Sequence, residues 1–451
     1  MNINKKVCAA AVSAAMLVTV FSAMPVCAAV DGVEMTAVIT LNGDSITAEG
    51  SNVTVEGTVA TITASGSYEI SGTLNAGQIR VAVPDETVDA ETVKLYLNGA
   101  TITGATDAAI YVVNAENTSL NLVAGTENYL YDGTTYTETT AVIYAKDDMT
   151  VKGEGSLTVT ALTQQGIHCN NDLKINGGDI RIDTELEDAL RGKTSVEING
   201  GSLNINAEGD GIKSTQGDVF ITGGVHEVKA GNDAVQGETS LTISGGELLA
   251  NGDRSLTCAT AAVTITGGTV LATATDNQPA AVTAAQPVML LNFAAEQVKD
   301  QELTVYSAVV DAEEIVLSMK PDKKFSYALI SAPLLTGDGS YNVALAGMYL
   351  THAAAVSEID FAMTNAMTAF DAVTPTDLAV SVSPVPEVQL GDVNADGLVK
   401  IDDAILLSRV VAEDTAAVVP EAGQAAMNVN QDDFVDAEDV TAILRMIAGL
   451  A

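Results

Sequence analysis

The sequence predicts a mainly β protein built on a right-handed parallel β-helix. Apolar residues alternate with polar ones on both sides of a recurring Gly-Gly pair, which indicates strands joined by tight turns. A fixed short repeat is typical of stacked architectures in which each coil packs against its neighbours. The pairs follow one another every 22 or 23 residues: Gly177-Gly178, Gly200-Gly201, Gly223-Gly224, Gly245-Gly246 and Gly267-Gly268.

The first apolar position before each glycine pair defines an expected interior row of the β-helix. Its members are Leu173, Val196, Val219, Leu241 and Val263. The same alternation continues less regularly towards the N-terminus, so we place the β-helix in residues 30–290. Cys169 and Cys258 fall on coils too far apart for a disulfide, and we expect two free, buried thiols.

Three repeats carry an acidic residue beside a small one: Asp188, Asp210 and Asp233. Equivalent positions in a β-helix stack about 4.8 Å apart, so these side chains should form a column. Stacked like charges repel one another unless something compensates them. Bound Ca²⁺, which takes oxygen ligands, is one explanation, and exposure of the side chains to water is the other.

Two cations accompany this acidic column. Arg191 and Lys213 lie three residues after Asp188 and Asp210. A base beside a carboxylate–Ca²⁺ site is an arrangement suited to proton abstraction, whereas charge compensation of the column needs no catalysis. His168 and His226 are further candidates, for which a structural role fits as well.

The composition restricts the class of partner. The chain has 451 residues and a formal net charge of −39, so nucleic acid and anionic membranes are disfavoured as direct partners. A polyanionic ligand would need cations as bridges. Beyond the N-terminal segment no apolar run is long enough to span a membrane, and we expect no membrane insertion.

Residues 1–29 have the features of a secretory signal peptide. Lys5-Lys6 precede an apolar run that ends in small residues. We expect cleavage after Ala28 or Ala29, and therefore a secreted, extracellular protein.

The glycine repeat ends at about Pro287. Residues 291–380 contain strand-like runs without that spacing, and we expect them to form a β cap over the end of the β-helix. A linker punctuated by proline follows at residues 381–388. Residues 389–451 differ in character and form a separate module.

That module contains two EF-hand-like calcium loops, each followed by an amphipathic helix. Ligands at loop positions 1, 3, 5, 7 and 12 define the EF-hand spacing. In the first loop they are Asp392, Asn394, Asp396, Leu398 and Asp403. In the second loop they are Asn428, Asn430, Asp432, Phe434 and Asp439. The second site should bind more weakly, because Asp433 stands where glycine is usual.

The duplicated loop–helix resembles a dockerin, the small α-helical module that attaches a secreted protein to a cohesin of a cellulosome scaffoldin. Dockerin loops carry Asp at position 12, as Asp403 and Asp439 do here. The resemblance implies Ca²⁺ in both loops. It also implies cohesin contacts at loop positions 10 and 11, which are Ile401, Asp402, Ala437 and Glu438.

Residues 36–350 resemble a family of secreted carbohydrate-binding β-helix proteins from cellulosome-forming bacteria. The motifs that carry the resemblance include Asp188-Ala-Leu-Arg-Gly and Asp210-Gly-Ile-Lys-Ser. It implies a pectate-lyase-like fold, Ca²⁺ at the acidic column, and binding of acidic polysaccharide with no established catalysis. Gln165 departs from the pattern, because a neutral residue replaces the expected acid.

We therefore expect a non-catalytic, calcium-dependent binder of acidic plant cell-wall polysaccharide (pectin or polygalacturonate), docked to a scaffold cohesin. Arg191 and Lys213 would contact the glycan. The alternative is a pectate-lyase-like polysaccharide lyase that uses calcium and one of these two residues as its base. A structural or adhesion protein without glycan specificity is a third interpretation.

Overall fold

The computed structural model describes residues 30, 32–275, 282–309, 312–335, 340–355, 390–394, 398–412, 414, 417, 419–424, 426–430 and 434–448. The predicted signal peptide, the predicted linker, Asp396 and Asp432 lie outside these residues. The chain divides into two compact units, residues 1–343 with 350–377, and residues 344–349 with 378–451.

Strands make up nearly all of the regular structure in the first unit. The first strands are β1 (Ala37–Gly43), β2 (Ile46–Gly50), β3 (Val53–Glu56), β4 (Val59–Ile62), β5 (Gly66–Ala82), β6 (Val93–Gly104), β7 (Ile110–Asn114), β8 (Asn117–Leu122), β9 (Glu127–Tyr131), β10 (Ala141–Ala145), β11 (Asp148–Gly153) and β12 (Ser156–Ala161). The repeat region contains β13 (Gln165–Cys169), β14 (Asp172–Ile175), β15 (Asp179–Thr184), β16 (Leu190–Gly192), β17 (Ser195–Ile198), β18 (Ser202–Ala207), β19 (Ile212–Ser214), β20 (Asp218–Ile221), β21 (Val225–Ala230), β22 (Asp233–Gly237), β23 (Ser240–Gly252), β24 (Arg254–Cys258) and β25 (Val263–Ala274). Beyond it lie β26 (Val282–Ala284), β27 (Val288–Gln297), β28 (Leu303–Val309), β29 (Ala312–Met319), β30 (Phe325–Ser331), β31 (Ser340–Leu345) and β32 (Met348–Ala355).

These strands form a parallel β-solenoid with three faces. The first face contains β8, β11, β14, β17 and β20, each paired in parallel with its equivalent on the next coil. The second face contains β9, β12, β15, β18 and β21. The third face contains β7, β10, β13, β16, β19, β22 and β24. The long strands β5, β6, β23 and β25 turn corners and contribute to more than one face.

The predicted interior row is confirmed. The register of the first face pairs Leu173 with Val196, Val196 with Val219, Val219 with Leu241, and Leu241 with Val263. All five side chains are fully buried. Each apolar side chain is therefore covered by the coil above and the coil below, which gives the solenoid a continuous core.

The glycine pairs form the tight corners between the first and second faces. The second glycine of each pair has a positive φ, as in Gly201 with φ of +82°, a conformation that other residues rarely adopt. A Cβ atom on Gly201 would also lie 2.7 Å from the carbonyl oxygen of Gly178 on the preceding coil. Backbone conformation and close stacking of coils both require glycine at this position.

The parallel pattern of the solenoid ends after β26, which still pairs in parallel with β25. Strand β30 pairs in antiparallel fashion with both β25 and β27, and β28 pairs antiparallel with β29.

The two cysteines of the described chain are free, as expected. Cys169 is buried, but the expectation of a second buried thiol is wrong, since Cys258 is partly exposed. Cys258 ends β24, the last described strand of the third face, so no further described coil of that face covers it.

The second unit contains the helices α1 (Ile401–Val411), α2 (Glu421–Gln424) and α3 (Ala437–Ile447). Its core brings together Val393, Ala404, Leu407 and Ile443. Thus α1 and α3 each contribute an apolar side to a shared core, as their sequence pattern predicts. Among the described helices, none combines the length and the apolar character needed to cross a membrane.

Candidate functional site

The outward side chains of the third face form one continuous row, which we name the outer column. The register places equivalent positions on successive coils, about 4.8 Å apart. From one end to the other the column contains Arg80, Tyr111, Tyr144, His168, Arg191, Lys213, Gln236 and Thr257. It therefore concentrates cationic and aromatic side chains on one face of a chain whose net charge is −39.

The acidic column predicted from the sequence lies beside the outer column. Asp188, Asp210 and Asp233 are all buried. The backbone N–H of Asp210 donates to Oδ1 of Asp188 at 2.9 Å, and the N–H of Asp233 donates to Oδ1 of Asp210 at 3.0 Å. These hydrogen bonds run from coil to coil, so the three carboxylates stack as expected.

Each of these carboxylates also pairs with a cation. Arg191 Nη1 lies 3.2 Å from Asp188 Oδ2, and Lys213 Nζ pairs with Asp210 Oδ2. Arg254 forms an ion pair with Asp233. Its Nη2 donates to Oδ2 at 2.8 Å, and its Nε lies 2.6 Å from Oδ1. No sequence pattern marked Arg254, although it occupies the position equivalent to Asp233 on the next coil.

Burial raises the pKa of the Asp188 carboxyl, and it raises the pKa of the Asp233 carboxyl as well. The N–H of Asp210 counteracts burial at Asp188, while Thr257 and Arg254 counteract it at Asp233. A carboxylate in this setting depends on its hydrogen bonds and its cation to stay ionised.

The donor set at the acidic column does not fit calcium well. Each of Asp188 and Asp210 gives one oxygen to a backbone N–H and the other to a cation, whereas Ca²⁺ takes six to eight oxygen ligands. Among the described residues, no group of three or more His, Cys, Asp and Glu side chains is arranged to hold a metal ion. The alternative explanation, exposure of the three carboxylates to water, is wrong, because all three are buried. Their ion pairs fit the charge-compensating role considered for Arg191 and Lys213.

The other half of the outer column is aromatic. The rings of Tyr111 and Tyr144 meet edge to face with centroids 5.7 Å apart, and Tyr144 meets the ring of His168 in the same way at 5.1 Å. The Arg80 guanidinium lies 4.8 Å from the Tyr111 centroid, and Lys146 Nζ lies 5.4 Å from it. Sequence reasoning missed Arg80, Tyr111 and Tyr144, because coil lengths vary in this part of the chain.

The two histidines have different surroundings. His168 lies in the outer column, where burial and then the charge of Arg191 lower its pKa to about 4, and its Nδ1 lies 3.0 Å from Thr140 Oγ1. His226 instead pairs in register with the core residue Leu203 and bonds through Nε2 to the Gly223 carbonyl at 2.7 Å. His226 is therefore a buried structural residue and does not belong to the outer column.

In the second unit, the carboxylates at loop position 12 are fully buried. Asp403 accepts hydrogen bonds from the N–H groups of Asn394 at 2.9 Å and Lys400 at 2.7 Å. Asp439 accepts N–H bonds from Val429, Asn430 and Asp436. Each carboxylate thus draws the two ends of its loop together. The oxygen donors of these loops fit Ca²⁺ chemically, and the expected ligand Asp392 is also buried.

The expected cohesin contacts lie on the surface of this unit. Ile401, Asp402, Ala437 and Glu438 are all exposed. Further apolar side chains are exposed on the same unit, including Leu398, Ile405, Phe434, Leu444 and Ile447.

Comparison with known proteins gives three matches. The family described as "Carbohydrate-binding domain-containing protein" matches residues 56–289. A protein of the same description from Acetivibrio thermocellus is 42% identical over 128 residues, which are 27% of this chain and 43% of that protein. This chain therefore spans less than half the length of that relative. A solved structure of a polysaccharide lyase-like protein from C. thermocellum, a gadolinium derivative, is 34% identical and covers 51% of this chain and 94% of its own, with a TM-score of 0.44.

Proposed function

Because this chain belongs to the family of carbohydrate-binding domain-containing proteins, we propose that its β-helix binds an acidic polysaccharide along the outer column without catalysis. The observation that carries the proposal is the row of cations on one face of a chain with a net charge of −39. Polygalacturonate, the acidic polymer of plant pectin, supplies carboxylates at regular intervals to such a row.

The cationic side chains beside the acidic column are fixed in position and remain partly exposed. Arg191 and Lys213 are each fixed by a carboxylate, yet their side chains remain 30% and 24% exposed. Arg254 is fixed by Asp233 and is 57% exposed. A guanidinium or ammonium group has several N–H donors, so one carboxylate partner leaves others for the ligand. Fixed positions reduce the entropy lost on binding, and charge-assisted bonds to carboxylates are strong.

The expected calcium ligands of the β-helix, Asp188, Asp210 and Asp233, each pair with a cation. Because this donor set does not fit Ca²⁺ well, we propose that the cations contact the glycan directly and that no calcium bridge is needed. Direct contact predicts that binding persists in a chelator, whereas a calcium bridge predicts that it is lost.

For the second unit we propose a dockerin that holds Ca²⁺ in both loops and binds a scaffoldin cohesin. The buried carboxylates of Asp403 and Asp439 and the exposed apolar side chains support this role. The expected contact residues are Ile401, Asp402, Ala437 and Glu438. Secretion to an extracellular location is part of the proposal and rests on the sequence of residues 1–29. Association with a cellulosome rests on the resemblance of residues 389–451 to a dockerin.

A pull-down with insoluble polygalacturonate tests the β-helix. The site variant is Arg191→Ala/Lys213→Ala. The matched control is Lys174→Ala/Arg181→Ala, which makes the same change in charge on β14 and β15 of the other two faces. Wild type and control should pellet in chelator, and the site variant should lose about tenfold or more in affinity, as expected for two charge-assisted contacts. Equal pelleting of all three would refute the site. Absorbance of unsaturated uronates in the supernatant would instead support the lyase alternative.

A further inference from the structure

We propose that the outer column carries a second anion-binding subsite, formed by Arg80 and Lys146 around the ring of Tyr111. The ligand would then be a polyanionic glycan chain that lies along the solenoid axis and spans both groups of cations. This inference rests on the proposed function and extends it to Lys146 and Glu138, which lie beside the outer column.

The geometry at Tyr111 gathers two like charges around one buried ring. Arg80 and Lys146 lie 4.8 Å and 5.4 Å from the ring centroid, and Tyr111 itself is 1% exposed. Contact with the Tyr111 side chain raises the pKa of Lys146, so this side chain keeps its charge at neutral pH. The face of an aromatic ring stabilises a cation, but two cations at one ring still repel each other. An anionic ligand removes that repulsion.

The acidic column does not extend to this end of the solenoid. Gln165 occupies the position of Asp188 one coil earlier, and Ala141 occupies the same position on the coil before that. Where Arg191 and Lys213 each have a buried carboxylate, Arg80 and Lys146 therefore have none from this column. The departure at Gln165 marks the point beyond which the cations have no buried carboxylate from the acidic column beside them.

Glu138 is the carboxylate that lies beside this subsite. Its Oε2 is 3.9 Å from Arg80 Nη1, and its side chain is 59% exposed. An ion pair at this distance and with this exposure contributes little to the stability of the folded protein. Glu138 can therefore turn into solvent when a ligand carboxylate takes its place.

Arg80, the cation of the subsite farthest from Arg191, lies at a distance that a short oligosaccharide does not cover. Arg80 and Arg191 lie four positions apart in the outer column, or about 19 Å at the strand spacing. Tyr144 and His168 fill the positions next to Arg191. A ligand that reaches both groups gains affinity, because its second contact is intramolecular.

Calorimetric titration with oligogalacturonates of two lengths tests the subsite. A trimer is too short to reach from Arg191 to Arg80, and a decamer is long enough. The wild type should bind the decamer about tenfold or more tightly than the trimer, in line with a linked second contact. In Arg80→Gln/Lys146→Gln this gain should disappear, so that the decamer binds about as tightly as the trimer. The control Lys174→Ala/Arg181→Ala should keep the full gain.

Glu138→Gln gives a second, independent readout. Removing the competing carboxylate should strengthen decamer binding. Retention of the full length-dependent gain in Arg80→Gln/Lys146→Gln would overturn the subsite. If Arg191→Ala/Lys213→Ala leaves trimer affinity unchanged, the proposed function itself fails.

Discussion

His168 shows how one side chain in the outer column responds to pH. Burial lowers its pKa in the folded protein to about 4, from an ordinary value of 6.5. Between these values the unfolded chain binds a proton that the folded chain does not. The free energy of unfolding should therefore fall as pH drops from about 6.5 to about 4, and the contribution of His168 is constant outside this window.

The variant His168→Gln tests this expectation, because Gln can still bond Thr140 but does not titrate. Thermal unfolding should be measured from pH 7 to about pH 4 for both proteins. The wild type should lose stability more steeply than the variant. Other groups with shifted pKa values, such as His226, Asp188 and Asp233, contribute equally to both curves. Parallel curves would show that His168 is protonated as easily in the folded state as in the unfolded one.

At the residue scale, the sequence predicted those members of the site that obey the fixed repeat. Asp188, Asp210 and Asp233 recur at the repeat length, and their stacking is confirmed by hydrogen bonds between coils. Tyr111 and Tyr144 are 33 residues apart and Tyr144 and His168 are 24 apart, so no period marks them as equivalent. Only the strand register reveals that they share a column with Arg191.

At the element scale, the Gly-Gly corner offers a matched pair of substitutions. Gly201→Ala should destabilise the solenoid by about 1–3 kcal/mol, because it combines a left-handed φ with a clash against Gly178. Gly200→Ala should cost about 1 kcal/mol or less, because its new Cβ meets nothing closer than the Asn176 carbonyl oxygen at 3.6 Å. Chemical denaturation measures both, and equal losses would contradict this account of the corner.

The proposed calcium loops of the second unit give a second prediction at this scale. Removal of Ca²⁺ should leave the converging acidic ligands uncompensated, and metal binding of this kind is coupled to folding. Hydrogen exchange of the full chain should show α1 and α3 losing protection in chelator. Strands β14 to β23 serve as the internal control and should keep theirs. Unchanged protection of both helices would rule out a structural role for Ca²⁺ in these loops.

The sequence was sufficient to predict the coils of the solenoid where the turns between strands are short and regular, as between β14 and β25. Earlier coils were harder to read, because segments such as residues 132–140 enter between strands of different faces. The loop residue Asp107 shows how such an inserted segment is held in place. Its carboxylate accepts hydrogen bonds from the N–H groups of Thr137, Glu138 and Thr139. Such contacts connect distant positions and leave no local pattern in the sequence.

At the scale of the whole molecule, the net charge determines which contacts can attract an acidic polysaccharide. A chain with a net charge of −39 repels a polyuronate at long range, and this repulsion is screened beyond about 10 Å at 0.1 M salt. Attraction must therefore come from short-range contacts on one face. The outer column provides them, because it brings Arg80, Arg191 and Lys213 into one line.

The most direct test compares two polymers that differ only in their carboxyl groups. Affinity for polygalacturonate and for its fully methyl-esterified form should be measured by titration in chelator, for wild type and for Arg191→Ala/Lys213→Ala. The account predicts that the wild type prefers the acidic polymer by about tenfold or more and that the variant loses this preference. Equal affinity of the wild type for both polymers, or an undiminished preference in the variant, would contradict recognition of acidic glycan by the outer column.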